Sequence, residues 1–125
     1  MGWSVDPEGF GVIFRRTIPN FVTAHLHSAV AKILTGMQLS VADIDRFICH
    51  PGGARVVSAL ETALALDQGT LGSERQVLAD YGNMSAPTVL FVLELALAKG
   101  LPARSLLTAL GPGFTASCVA LRHAA

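Results

Sequence analysis

The stretch from Ala86 to Ala98 constrains this chain more than any other. It carries Val89, Leu90, Phe91, Val92, Leu93, Leu95 and Leu97, with Glu94 its only charge. Its 13 residues are too few to cross a bilayer, which takes about 20. A helix that is apolar nearly all round must instead be buried on every side. The spacing therefore predicts a layered fold with this helix inside it. Gly100 ends the helix, and Pro102 prevents its continuation.

The rest of the composition points the same way. Hydrophobic residues make up 51% of the chain and charged residues 14%, against a usual charged share of about 25%. A domain this size leaves roughly a third of its chain surface exposed, and so few charges cover that poorly. The chain is expected to bury a large face against a partner. Nine basic and nine acidic side chains cancel. That excludes a nucleic-acid binder driven by phosphate neutralisation, and the high hydrophobicity excludes intrinsic disorder. Two cysteines, Cys49 and Cys118, are too few for a disulfide scaffold and lack zinc-site spacing. The opening Met1-Gly2-Trp3-Ser4-Val5-Asp6 has no secretory pattern. It also fails the myristoylation pattern, since Asp6 stands where Ser or Thr is wanted. A cytoplasmic location, with no membrane and no nucleic acid as partner, is the expectation.

No internal repeat or linker divides the chain, so residues 1–125 read as one unit. Gly11 to Phe14 is a short strand. Asn20 is placed to cap a helix over about Phe21 to Leu34, with Val22, Leu26, Ala29, Val30, Ile33 and Leu34 at helical spacing and Gly36 closing it. Ser40 and Asp43 suit a capping turn. Asp45 to His50 reads as a buried strand, broken by Pro51-Gly52-Gly53. Ala54 to Leu66 follows as a helix, and Ser73 with Gln76 has the capping-box spacing for a third, ending near Tyr81 and Gly82. Ser105 to Leu110 and Phe114 to Leu121 form a hairpin around Gly111-Pro112-Gly113. This is an α/β unit: a mixed sheet packed by helices, ending in a β-hairpin.

Three turns could carry chemistry. His50-Pro51-Gly52-Gly53 follows a buried strand, where α/β folds place ligands; His50 could donate a proton or hydrogen bond, or merely satisfy a nearby carbonyl. In Tyr81-Gly82-Asn83-Met84-Ser85-Ala86, Asn83 could cap the apolar helix or aim its amide at a developing oxyanion. Gly111-Pro112-Gly113 makes a stiff turn that lets backbone approach a ligand, although most such turns only connect strands. No nucleophile accompanies these groups. Cys49 neighbours His50, yet consecutive strand residues point to opposite faces, and Cys118 has the setting of an inert core thiol. His25 and His27 lie two apart on a helix and share no face.

At these three motifs the sequence resembles the carboxy-terminal half of the chalcone and stilbene synthases, the type III polyketide synthases. Met1-Gly2-Trp3 and Ile18-Pro19 are similar to the bacterial members. The resemblance implies a thiolase-like half-fold, normally part of a homodimer built from two similar α/β halves. It implies acyl transfer: an acyl-CoA loads a cysteine, malonyl-CoA is decarboxylated, and Claisen condensation extends the chain. The substrates are then acyl-CoA and malonyl-CoA, with no metal and no further cofactor.

Carried over by motif, His50 and Asn83 would hold the malonyl thioester carbonyl, and His50 would help keep the cysteine ionised. Gly111, Pro112 and Gly113 would shape the polyketide cavity. Val12 aligns near a gatekeeping phenylalanine of plant members. Arg16, with Arg15, lies near a basic residue that contacts coenzyme A phosphates, or is a solvated charge at a strand end. The family's cysteine belongs to an amino-terminal half that this sequence does not contain, so the chain alone is expected to be inactive. Two rivals stay in view: a ketoacyl-ACP synthase III-like condensing enzyme, and a non-catalytic subunit that pairs with a related chain.

Overall fold

The computed structural model describes residues 2–13, 16–111, 113 and 115–124. Its centre is a three-stranded sheet of β3 (Arg46–Cys49), β4 (Arg104–Leu110) and β5 (Ala116–Arg122), in that order. β3 runs parallel to β4, with Cys49 beside Thr108, and β5 returns antiparallel to β4, with Cys118 beside Thr108. The sheet is therefore mixed, as the sequence predicts. A separate antiparallel hairpin, β1 (Gly2–Asp6) and β2 (Gly9–Ile13), opens the chain.

Period-two alternation divides the core into two layers. Phe47, Cys49 and Leu106 pack with α1 (Ile18–Gly36) and α2 (Ala54–Ala63) on one face of the sheet. Ile48 and Leu107 pack on the other with α3 (Gly72–Tyr81) and α4 (Thr88–Ala98), through Val77, Val89, Val92 and Ala96. α1 presents Ile18, Val22, Leu26, Val30 and Leu34 to the core, one residue per turn. Burying each such side chain is worth about 1.5–3 kcal/mol before chain entropy is set against it.

Several boundaries differ from expectation, each for a local reason. α1 starts at Ile18 rather than Phe21, because Pro19 sits in its first turn, where a missing N–H costs nothing. Asn20 is thus inside the helix, and Thr17 stands at its cap position. Gly36 is the last helical residue, while the left-handed turn falls to Gln38 at φ 59°. α2 stops at Ala63, three residues short of Leu66, where Ala65 turns left-handed at φ 55°. Ser73 caps nothing: it lies inside α3, buried, accepting hydrogen bonds from Arg46 Nη2 at 3.2 Å and Lys99 Nζ at 3.1 Å. The Ser40–Asp43 turn does form, with Asp43 Oδ2 accepting the Ser40 N–H at 2.8 Å and its Oγ–H at 2.7 Å. Phe14, Arg15, Pro112 and Phe114 lie outside the described residues.

The largest difference concerns α4. Its inner side is buried, but Leu90 is 57% and Leu97 54% exposed. The expectation of burial on every side fails within this chain. An apolar outer face remains, and the exposed Tyr81 ring lies 5.1 Å from that of Phe91 on α4. No helix is long and apolar enough to cross a membrane among the described residues.

Candidate active site

The parallel pairing of β3 and β4 brings the His50 and Gly111 turns to one end of the sheet. His50 extends the ladder by one bond, its N–H donating to the Thr108 carbonyl at 2.9 Å. Gly111 follows Thr108 by three residues, so the His50 turn and the Gly111 turn leave the same end of the sheet. Gly111 N–H donates to the Thr115 carbonyl at 2.8 Å, and Gly113 takes φ 69°, closing the hairpin.

The His50 turn is tight. Pro51 is buried, and the Gly52 N–H folds back onto the His50 carbonyl at 3.1 Å. The imidazole edge lies along Gly52, where an added β-carbon would sit 3.9 Å from both Cδ2 and Nε2. Nδ1 is buried without a hydrogen-bond partner among the described residues. Burial lowers the His50 pKa below its ordinary 6.5 and favours the neutral ring at pH 7. A neutral imidazole still has one N–H to donate.

Asn83 reaches this turn from the other side. α3 ends at Tyr81, and Gly82 reverses the chain with φ 71°. The Asn83 Nδ2 donates to the Gly52 carbonyl at 3.1 Å, and its Oδ1 accepts the Ser85 N–H at 2.9 Å. These two bonds fix both the position and the face of the amide. A second Nδ2 hydrogen remains free to donate on an exposed side chain. The capping role does not materialise: α4 begins at Thr88, with Pro87 at its cap position. The loop is braced by Thr88, which sequence reasoning missed. Its buried Oγ accepts the Met84 N–H at 2.8 Å and donates to the Ser85 carbonyl at 2.7 Å. A threonine three residues after Ser85 was the available signal.

His50 and Asn83 therefore converge on one residue, Gly52. Among the described residues no hydrogen bond or ion pair joins Gly111, Gly113 or Arg16 to them. Arg16 is exposed in the turn before α1. Val12 lies on β2 opposite Trp3, in the separate hairpin, and its side chain is outside the described set. Leu110 and Ala116, flanking the Gly111 turn, line an apolar cleft of about 100 Å³ with Phe21, Val22, His25 and Leu26 of α1. Histidines 25 and 27 have separate structural settings: the His25 ring packs 4.5 Å from that of Phe21, and His27 Nδ1 donates to the Ala63 carbonyl at 3.1 Å. No cluster of three or more His, Cys, Asp or Glu able to hold a metal occurs among the described residues.

Neither thiol has a nucleophile's environment. Cys49 is fully buried against the α1–α2 layer, and burial, then the Glu74 carboxylate, push its pKa well above 9.0. Cys118 is half-buried and raised for the first of these reasons, despite a hydrogen bond with Thr108. Since only the thiolate reacts, Cys49 should take up no iodoacetamide at pH 8 until denaturant is added. Mass spectrometry of labelled peptides checks this, and rapid native labelling of Cys49 would contradict the buried assignment.

Known proteins resemble this chain in both sequence and fold. The family model described as "Chalcone and stilbene synthases, C-terminal domain" matches residues 3–125. The chain is 39% identical over 125 residues to the 1,3,6,8-tetrahydroxynaphthalene synthase of Streptomyces peucetius subsp. caesius, covering 98% of this chain and 33% of that protein. It is 41% identical over 118 residues to a chalcone synthase-named protein of Bacillus subtilis (strain 168), covering 92% of this chain and 32% of that one. The crystal structure of PKS-I from the brown alga Ectocarpus siliculosus superposes with TM-score 0.84 at 26% identity, over 98% of this chain and 35% of that one. This chain thus spans about a third of the length of the relatives it matches.

Proposed function

Because this chain belongs to the chalcone and stilbene synthase family, as its carboxy-terminal domain, we propose that it supplies the donor pair for decarboxylative condensation of malonyl-CoA in a type III polyketide synthase. One observation carries the reading: His50 and Asn83, from different elements, are both set against Gly52 at one end of the sheet.

The chemistry asks for that arrangement. When the malonyl thioester loses CO₂, the breaking C–C bond leaves its electron pair on the α-carbon, and charge spreads to the thioester oxygen. Two N–H groups fixed beforehand stabilise that oxygen without having to reorganise. The resulting enolate attacks an acyl thioester on a cysteine, whose thiolate departs. That cysteine is assigned to a segment outside this chain, since Cys49 and Cys118 are buried or half-buried with raised pKa values. The neutral imidazole favoured here suits hydrogen-bond donation to the enolate. Its cationic role beside a thiolate arises when that thiolate packs against it, because a neighbouring negative charge favours the protonated ring.

The uncovered apolar surface supports a domain that works packed against more protein. Leu90, Leu97 and Tyr81 on one side, and the Val5–Phe10 pair of the β1–β2 hairpin on another, are all more than half exposed. We read the working form as a homodimer in the cytoplasm, using acyl-CoA and malonyl-CoA and no metal. The Gly111–Gly113 turn and Val12 are read as cavity wall, and Arg16 as a contact for coenzyme A phosphate.

The test is release of labelled CO₂ from malonyl-CoA, and condensation with an acyl-CoA starter, by the protein carrying this domain with its cysteine-bearing portion. Turnover on free CoA thioesters is expected. An absolute requirement for acyl carrier protein would replace this reading with a ketoacyl-ACP synthase III-like one. Full activity after loss of both donors would make the domain a non-catalytic partner.

A further inference from the structure

Glu74 is a buried acid that the proposed chemistry leaves unused. It lies in the first turn of α3 with no solvent exposure. Its Oε1 accepts the Cys49 N–H at 3.0 Å, while Oε2 has no hydrogen-bond partner among the described residues. Burying a carboxyl with one oxygen lacking a hydrogen bond is costly, and burial outweighs both the Cys49 bond and the Arg46 charge in setting its pKa, which is raised. An apolar side chain would fill the same interior without that cost, so what the acid contributes here is the bond it makes.

The bond it makes defines the task. His50 directs its N–H toward β4, so the N–H of Cys49, one residue earlier, points to the outer edge of β3. Glu74 meets it there. α3 and the loop that leaves it thereby hold the His50 turn at two points: Glu74 at Cys49, immediately before His50, and Asn83 at Gly52, two residues after it. Ser73 ties the same first turn of α3 to Arg46 at the start of β3 and to Lys99 after α4. A helix pinned at both ends cannot slide along the strand.

We propose that Glu74 is a positioning residue, locking α3 to the last residue of β3 so that His50 and Asn83 keep a fixed separation. The inference rests on the His50–Asn83 reading given above. It assigns Glu74 no contact with substrate.

Malonyl-CoA decarboxylation by the protein with its cysteine-bearing portion tests it, using two variants that separate reach from charge. Glu74→Gln keeps an acceptor oxygen at full length, and its kcat should stay within about threefold of the unaltered protein. Glu74→Asp keeps the charge but falls one methylene short. Its kcat should drop on the order of 10²-fold with KM unchanged, the cost of misplaced catalytic groups.

Glu61→Gln serves as the structural control. It alters another buried acid, one tied to Arg75 and the 69–71 loop, and should lower the melting temperature while leaving kcat in place. A folded Glu74→Asp with normal kcat, a Glu74→Gln loss as deep as that of Asp, or a loss confined to KM would each overturn the proposal. His50→Ala is run alongside. If it retains its rate, the site reading itself falls; if it fails while Glu74→Asp works, only the positioning role falls. Should neither Glu74 variant fold, amide exchange in the unaltered protein decides. Protection of the Cys49 amide matching that of His50 supports the clamp, and exchange on the timescale of an exposed edge rejects it.

Discussion

On the proposed reading, replacing His50 or Asn83 by alanine in the protein that carries this domain with its cysteine-bearing portion is expected to lower malonyl-CoA decarboxylation by about 10²- to 10³-fold, the usual loss for one oxyanion donor, or about 3–4 kcal/mol of barrier. The same reading has the two changes fall short of additivity, because donors proposed to act on one oxygen are coupled and the second has less charge to stabilise once the first is gone. Stability separates this loss from simple unfolding. Asn83 is exposed and makes two hydrogen bonds, one of them to Gly52, so Asn83→Ala should cost only about 1–2 kcal/mol in folding. His50→Gln keeps an N–H near the site and should fall less than His50→Ala. Labelled-CO₂ release and thermal melts on the same samples make the comparison. A folded His50→Ala protein with unchanged release would sink the assignment of both residues.

Much of this arrangement is legible in the chain, and the misses share a cause. The buried strand through Phe47, Ile48 and Cys49, the Ser40–Asp43 turn and the Gly111–Gly113 hairpin follow from local patterns, and the structure places them there. The three motifs also stand out in sequence as polar or flexible turns after apolar runs. Their convergence does not. Asn83 reaches the His50 turn through a bond to Gly52 across 31 positions, and the Gly111 turn comes to the same end of the sheet only because β3 pairs parallel with β4, nearly sixty positions away; no local pattern encodes either. Ser73 shows the same limit. With Gln76 it has a capping-box spacing, yet its hydroxyl answers to Arg46 and Lys99 from other elements. α4 errs for the complementary reason. Its periodicity reports that Leu90 and Leu97 are apolar, but not that no other element of this chain packs over them to bury them.

The second large effect is expected in stability, at the Glu61–Arg75 pair. Glu61 has no solvent exposure, and its Oε2 meets Arg75 Nη2 at 2.6 Å. Its Oε1 accepts the N–H groups of Gly69 and Leu71, at 3.0 and 2.9 Å, closing the loop between α2 and α3. Arg75→Met would leave a buried carboxylate without its cation. The loss should be about 3 kcal/mol, the low end for breaking a buried pair, because Arg75 is one-third exposed and water can enter its place. For a domain this size that is roughly a 10 °C fall in melting temperature.

The pH dependence supplies an independent sign. Burial pushes the Glu61 pKa up, but hydrogen bonds from Leu71, Arg75 and Gly69 outweigh it and leave it below 4.5. Between that lowered value and 4.5 the unfolded chain binds the proton first, so the Glu61 contribution is complete above 4.5 and is lost as pH falls through the folded value. Glu74 has the opposite sign. Burial raises its pKa above 4.5, so the folded chain binds that proton first and stability declines as pH rises through this range. In Arg75→Met the Glu61 pKa must rise, since one lowering partner is gone and burial remains. Its acid limb should then flatten or reverse, while Glu74→Gln should leave the Glu61 limb standing and steepen the net slope. Denaturant melts from pH 3 to 7 on the three proteins measure this, and parallel curves for all of them would show that neither buried acid is linked to folding as described.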